Sequence, residues 1–205
     1  MAAASHPSLI DPAHLLDELL GIVNVPSGVW IDEQGVIVRP PETAYPRRPA
    51  FLDRRAPADA TARQRTAVEA VRSLRIDAET YIAALRDWVE LGAASRYALP
   101  PEAVIERSRP RSRDESLAAA HFELGQHLHR TGHPDDAIPH FRASHRFDPA
   151  NWTYKRQAWS FVDPGQGPND VYDGDWLGDV LAIGPENYYP ALKLEPSSRT
   201  DEQGG

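Results

Sequence analysis

The chain contains no cysteine among its 205 residues. That absence excludes disulfides, thiolate metal sites and cysteine nucleophiles, and it fits the cytoplasm as the expected location. Positive charge is also scarce: 22 Lys and Arg against 30 Asp and Glu leave a formal charge of −8. Such a surface repels a phosphate backbone, so nucleic acid is not an expected partner. No apolar run approaches the roughly 20 residues of a membrane-crossing helix, and no membrane partner is expected. The opening residues, Met1 to Pro7, lack a basic stretch followed by an apolar core and do not read as a secretory signal.

Interruption is plentiful. Nineteen prolines and 13 glycines break the chain too often for one long helical bundle, while 41% apolar residues are enough to bury a core. Residues 11–21 predict a short helix, with Asp11 as N-cap, Leu15, Leu16, Leu19 and Leu20 on one side, and Gly21 as the stop. Val29 to Ile31 and Val36 to Val38 then flank a turn containing Gly35, which predicts a β-hairpin. Pro26 precedes the first strand, where an X-Pro bond can be held cis. Residues 40–60 carry five prolines and four arginines and read as a linker or long surface insertion. A weak helix is expected over 61–73 and a stronger one from Asp77 to Leu91, ended by Gly92.

Residues 93–113 read as a second linker, and its arginines at 107–113 as a solvated run rather than an anion patch. Ser112 and Glu115 have capping-box spacing and open a helical hairpin over 114–151. Within it Leu124, Gly125, Leu128, Ala137, Phe141 and Pro149 follow the 34-residue tetratricopeptide pattern, with His121 in place of the usual tryptophan. Gly125 and Ala137 are small enough to let two antiparallel helices approach, and Phe141 fills the groove between them. One repeat cannot bury its own faces, so it must pack on other helices or on a partner. Residues 152–194 read as an aromatic, irregular segment packed over those helices, with a ligand groove as the second reading. The polar stretch 195–205 reads as a disordered tail.

In this order, Asn24-Val-Pro26, Val29 to Glu33, Gly35 to Pro40, Leu85 to Trp88, the 118–149 repeat and Asn151 to Thr153 carry a resemblance. With His6 to Asp11 they span most of residues 6–155. The chain resembles a bacterial thioredoxin-like family of cytochrome-maturation thiol–disulfide type, whose larger members continue into a tetratricopeptide region. The resemblance implies an α+β, mostly α fold. A partial thioredoxin-like hairpin with helices (1–92) would be followed by the tetratricopeptide-like helical hairpin and the aromatic C-terminal segment. In that family a strand, a cysteine-bearing turn, a helix and another strand come first, and these have no counterpart here. The expected explanations are a truncated paralogue, its sheet edge covered by a second copy or another protein, or a fragment of a split gene.

Catalytic and metal chemistry find little support. Six histidines lie between His121 and His145, but His127 and His129 point apart on a helix, and His133 sits between Gly132 and Pro134. Asp32 and Glu33 sit in the hairpin turn, where carboxylates bond local backbone. Asp170, Asp173, Asp175 and Asp179 lack the terminal glutamate of a calcium loop. Ser27 has no His or Asp companions. Neither catalytic residues, metal nor cofactor are therefore expected. The expected function is a non-catalytic protein-interaction module taking a protein or peptide on Val25, Pro26, Phe122, Gln126, His129 and Arg130. The alternative is the C-terminal part of a thiol–disulfide oxidoreductase that needs a separate cysteine-bearing half.

Overall fold

The computed structural model describes residues 7–194, so the predicted tail lies outside the described residues. The chain is mostly helical with one small antiparallel sheet: α1 (Leu15–Leu20), β1 (Ser27–Ile31), β2 (Ile37–Thr43), α2 (Ala62–Arg72), α3 (Ala78–Leu91), α4 (Pro101–Arg107), α5 (Arg113–Arg130), α6 (Pro134–Phe147), α7 (Trp152–Val162) and α8 (Trp176–Ile183).

Helix α1 begins four residues later than the sequence suggests. His14 occupies the N-cap position in a left-handed conformation (φ 57°) without a side-chain cap bond, and its ring contacts the Asp17 carboxylate at 2.6 Å and Gln157 at 3.1 Å. Asp11 still reaches the first turn, accepting from the Leu16 N–H at 2.6 Å. The leucines do not form a buried side: Leu15, Leu16 and Leu19 are 53%, 52% and 68% exposed. What anchors this region is backbone. The Val23 carbonyl accepts from the N–H groups of Trp152 and Thr153, at 2.7 and 3.2 Å, at the start of α7.

The hairpin forms where the alternating apolar residues place it. The Asp32 carboxylate accepts from the N–H groups of Gln34 and Val36 (3.0 and 2.8 Å), and Gly35 supplies the positive φ of 79° that the tight loop needs. The Val25–Pro26 bond is cis. Strand β2 runs on through Pro40 and Pro41 to Thr43, where a linker was expected. A two-stranded sheet leaves one side of each strand unpaired, so proline's missing donor costs nothing there. One face of the hairpin lies on α3: Trp30 donates to the Tyr81 hydroxyl at 3.2 Å and stacks on Trp88 at 5.0 Å.

Three further segments depart from expectation. The 40–60 stretch contains buried Tyr45 and Leu52 and a 3-10 turn at Ala50–Asp53, so it belongs to the core rather than to a surface insertion. The expected linker at 93–113 contains α4, with Pro101 at its first turn and buried Ala98 and Leu99 just before it. The irregular segment at 152–194 contains α7 and α8, capped by Asn151 and Asp175 through the Tyr154 and Gly178 N–H groups. Its aromatics do pack over the preceding helices, as expected: Trp152, Tyr154, Trp159, Tyr172, Tyr188 and Tyr189 share one core with Phe122 and Phe141.

In that core α5 and α6 form the predicted helical hairpin. Ser112 and Glu115 form a reciprocal capping box, and the Arg109 guanidinium holds the Glu115 carboxyl down at about 2. Ala137 and Phe141 are fully buried. A second, smaller cluster joins Trp30, Ala44, Tyr81, Ala84 and Leu194. Buried Arg39 ties it together: it pairs with Glu42, donates to the Tyr97 carbonyl at 2.8 and 3.1 Å and to the Lys193 carbonyl at 3.2 Å, and lies over the Trp30 ring.

Candidate functional site

The residues expected to hold a partner are engaged inside the chain. The Val25 N–H donates to the Asn24 side chain at 2.9 Å, its carbonyl accepts from the Tyr189 hydroxyl at 3.1 Å, and the Pro26 carbonyl accepts from the Ala44 N–H at 3.1 Å. These backbone groups are therefore not left open for a peptide. On α5 the expected recognition face is covered by α7. Phe122 is 2% exposed and stacks on Tyr154 at 4.1 Å; His129 stacks on Phe161 at 3.8 Å; Gln126 is buried. Arg130 alone of the four is exposed, and it donates to the Pro12 carbonyl at 3.4 Å. A single helical hairpin must cover its apolar groove, and here its own chain covers it.

Two of the four aspartates in the acidic run are likewise committed. Asp175 pairs with Arg63, and Asp179 with Lys155 at 2.8 Å. Among the described residues no group of three or more His, Cys, Asp or Glu side chains converges as metal ligands.

One open feature among the described residues is an aromatic and basic cleft between α2, α7 and α8. Its smaller lobe, of 310 Å³, is lined by Phe51, Arg54, Val68, Leu74, Tyr188 and Tyr189 among others. The second lobe, of 640 Å³, continues past Thr61, Arg63 and Gln64 to the loop Pro164 to Gly167. Arg54, Ala67, Val71, Arg156 and Trp176 line both lobes, so the two form one groove.

Each wall follows from local sequence. Thr61 and Gln64 cap α2 reciprocally, which directs Ala67, Val68 and Val71 of that helix into the groove. The Asp163 carboxylate accepts from the N–H groups of Gly165 and Gly167 at 2.9 and 3.0 Å and fixes the loop after α7. That loop presents Gln166, whose carbonyl accepts from the Trp176 N–H and whose side chain accepts from Arg156 Nε at 3.0 Å. Arg156 is thus oriented through Nε, and its two terminal nitrogens have no hydrogen-bond partner among the described residues. Arg54 has no ion-pair or hydrogen-bond partner for its guanidinium among them. At the floor, Trp176 and Tyr189 both meet the Tyr188 ring edge-on, at 5.9 and 4.6 Å. The Tyr188 hydroxyl is buried with no hydrogen-bond partner. Burial pushes the Tyr45 and Tyr189 hydroxyls up, so both stay protonated; Tyr45 donates to Tyr189 at 2.8 Å.

No aspartate or glutamate lines either lobe, in a chain whose net charge is −8. Two unpaired guanidinium groups beside aromatic rings suit an anionic ligand that also carries an apolar group. Nothing in the groove forms a nucleophile–base pair.

The chain matches no protein-family model, no curated protein and no solved structure.

Sequence reading missed this groove as a unit. Arg54 falls in the segment read as a linker, Arg156 on a helix read as irregular. The one signal was the density of aromatics between Trp152 and Tyr189, which had suggested a ligand groove as a second reading.

Proposed function

We propose that the chain is a non-catalytic protein-interaction module whose groove between α2, α7 and α8 takes an acidic peptide segment bearing an aromatic or aliphatic side chain. The observation that carries this reading is the segregation of charge: Arg54 and Arg156 line the groove without an ion-pair partner among the described residues and no carboxylate lines it, while the whole chain is acidic and Arg63 is paired with Asp175. A carboxylate on the peptide would meet the free ends of Arg156 and Arg54. Its apolar side chain would sit in the smaller, aromatic lobe against Trp176, Tyr188 and Val68. The groove is long and open to solvent, which suits a chain segment better than a compact metabolite. A thioredoxin-like and tetratricopeptide origin belongs to the same proposal, supported by the order of hairpin, α3 and helical hairpin along the chain.

Selection from a random peptide library on the immobilised full chain tests it. The expected enrichment is for peptides joining Asp or Glu to Phe, Tyr, Trp or Leu, lost when the selection is repeated on an Arg54→Ala/Arg156→Ala variant. Enrichment of basic or purely apolar peptides, or enrichment that survives the double substitution, would overturn the reading.

A further inference from the structure

The helical hairpin brings together two histidines that are 19 residues apart in sequence. His121 on α5 and His140 on α6 face each other with Nδ1 atoms 2.9 Å apart, ring centroids 5.2 Å apart and ring planes at 33°. Both side chains are half-buried at the helix–helix seam. Phe147 stacks on one face of His121 with centroids 5.8 Å apart and planes at 12°, and leaves the ring's Nδ1 edge towards His140. Spacing along a single helix gave no metal signal for these residues, because the pair forms only across two helices.

We propose that His121 and His140 form a two-histidine site for a divalent ion of the zinc class, bound through both Nδ1 atoms, with water filling the remaining positions. The metric argument rests on the ring separation. In a tetrahedral site with each nitrogen about 2.05 Å from the ion, two imidazoles aimed at it have centroids about 5.2 Å apart and nitrogens about 3.3 Å apart. The centroid separation here is already 5.2 Å, and the nitrogens lie closer, at 2.9 Å, because the two rings point head to head. Small changes in the side-chain torsions of the two histidines, without movement of either helix, would open the nitrogens to that separation and turn the N–H···N contact into two lone pairs converging on one point. The proton held between the rings moves to Nε2 of its own ring, so the bound pair stays neutral and no other group takes up charge. After His140, the charge acting on His121 is that of Arg146, which is cationic. With only two protein ligands the site is open, and the ion would keep exchangeable water on the solvent side.

Zinc chloride titrated into the full chain by calorimetry, with two-dimensional NMR of the histidine ring nitrogens, tests the assignment. One equivalent is expected, with the Nδ1 resonances of His121 and His140 shifting and a rise in the melting midpoint. His121→Ala and His140→Ala should each lose the stoichiometric binding, while His133→Ala keeps it. Circular dichroism of each variant checks that the helical hairpin is retained. No zinc uptake by the wild-type chain would overturn the proposal and leave the pair as a hydrogen-bonded contact. So would binding that survives either single substitution, or shifts confined to other histidines.

Discussion

A methyl group placed on Gly125 would stand 2.9 Å from the Phe141 ring. This contact sets the distance between α5 and α6. Phe141 is fully buried, and its ring also meets those of Phe122, Phe161 and Tyr172, so it has nowhere to retreat. Gly125→Ala would gain up to about 1 kcal/mol of helix propensity and lose roughly 1 to 3 kcal/mol to overpacking. The expected outcome is net destabilisation by about 1 kcal/mol, read as a lower urea midpoint at unchanged slope. Equal or greater stability would show that the helices can part at no cost.

Arg39 offers a second test. Its guanidinium is buried, pairs with Glu42 and binds carbonyls from Tyr97 and Lys193, three segments far apart in sequence. Arg39→Met removes the cation and leaves the Glu42 carboxylate, 12% exposed, with the Lys193 N–H at 3.3 Å and Arg107 at 3.8 Å. A loss of about 3 to 5 kcal/mol is expected, as for other buried pairs broken on one side. Arg39→Met/Glu42→Leu should recover part of it, because the charge then left without its partner is Arg107, which is 27% exposed rather than buried. Thermal unfolding of both variants measures the difference.

How much of this could be read from the chain varies by element. The hairpin was legible because Gly35 sits between two apolar runs, and α5 because Ser112 and Glu115 announce its first turn. Helix α7 was not: Pro149 before it and Pro164 after it suggest loop, and four bulky aromatics hide the helical period. Helix α8 is eight residues long between Gly174 and Gly184, which is short enough for punctuation to outweigh pattern. The exposure of Phe122 and Gln126 was misjudged because a helix face reads the same whether a partner or the chain's own next helix covers it. The groove could not be read at all from spacing. Arg54, Val68, Arg156, Trp176 and Tyr188 meet only through the packing of α2 on α8 and α7.

His145 predicts an acid-side loss of stability. Burial, followed by the positive charge of Lys155, pushes its imidazole down to about 4, while the Tyr154 backbone and then Asp179 and Asp173 act the other way. An unfolded chain takes up this proton near 6.5, the ordinary value of an exposed imidazole. Between these values the unfolded state holds more protons, so stability falls as pH drops from 6.5 towards 4 and is unaffected by this group above that range. The slope should sum to about 3 kcal/mol. Nε2 of His145 is buried without a partner, and the ring packs against Trp159 and Tyr172. His145→Phe should therefore flatten the pH dependence, measured by urea unfolding at a series of pH values; an unchanged slope would assign it to other groups.

The central claim is that Arg54 and Arg156, beside Trp176, bind an acidic and apolar peptide segment. Its most direct measurement is a two-dimensional NMR titration of the full chain with one acidic, phenylalanine-containing peptide from the library selection, following the Trp176 indole N–H and the Arg156 Nε–H. Saturable shifts of both signals are expected, and they should vanish in the Arg54→Ala/Arg156→Ala variant while the fold signals stay in place. Shifts that cluster at Val25, Pro26 or Arg130 instead, or that persist in the double variant, would contradict the account.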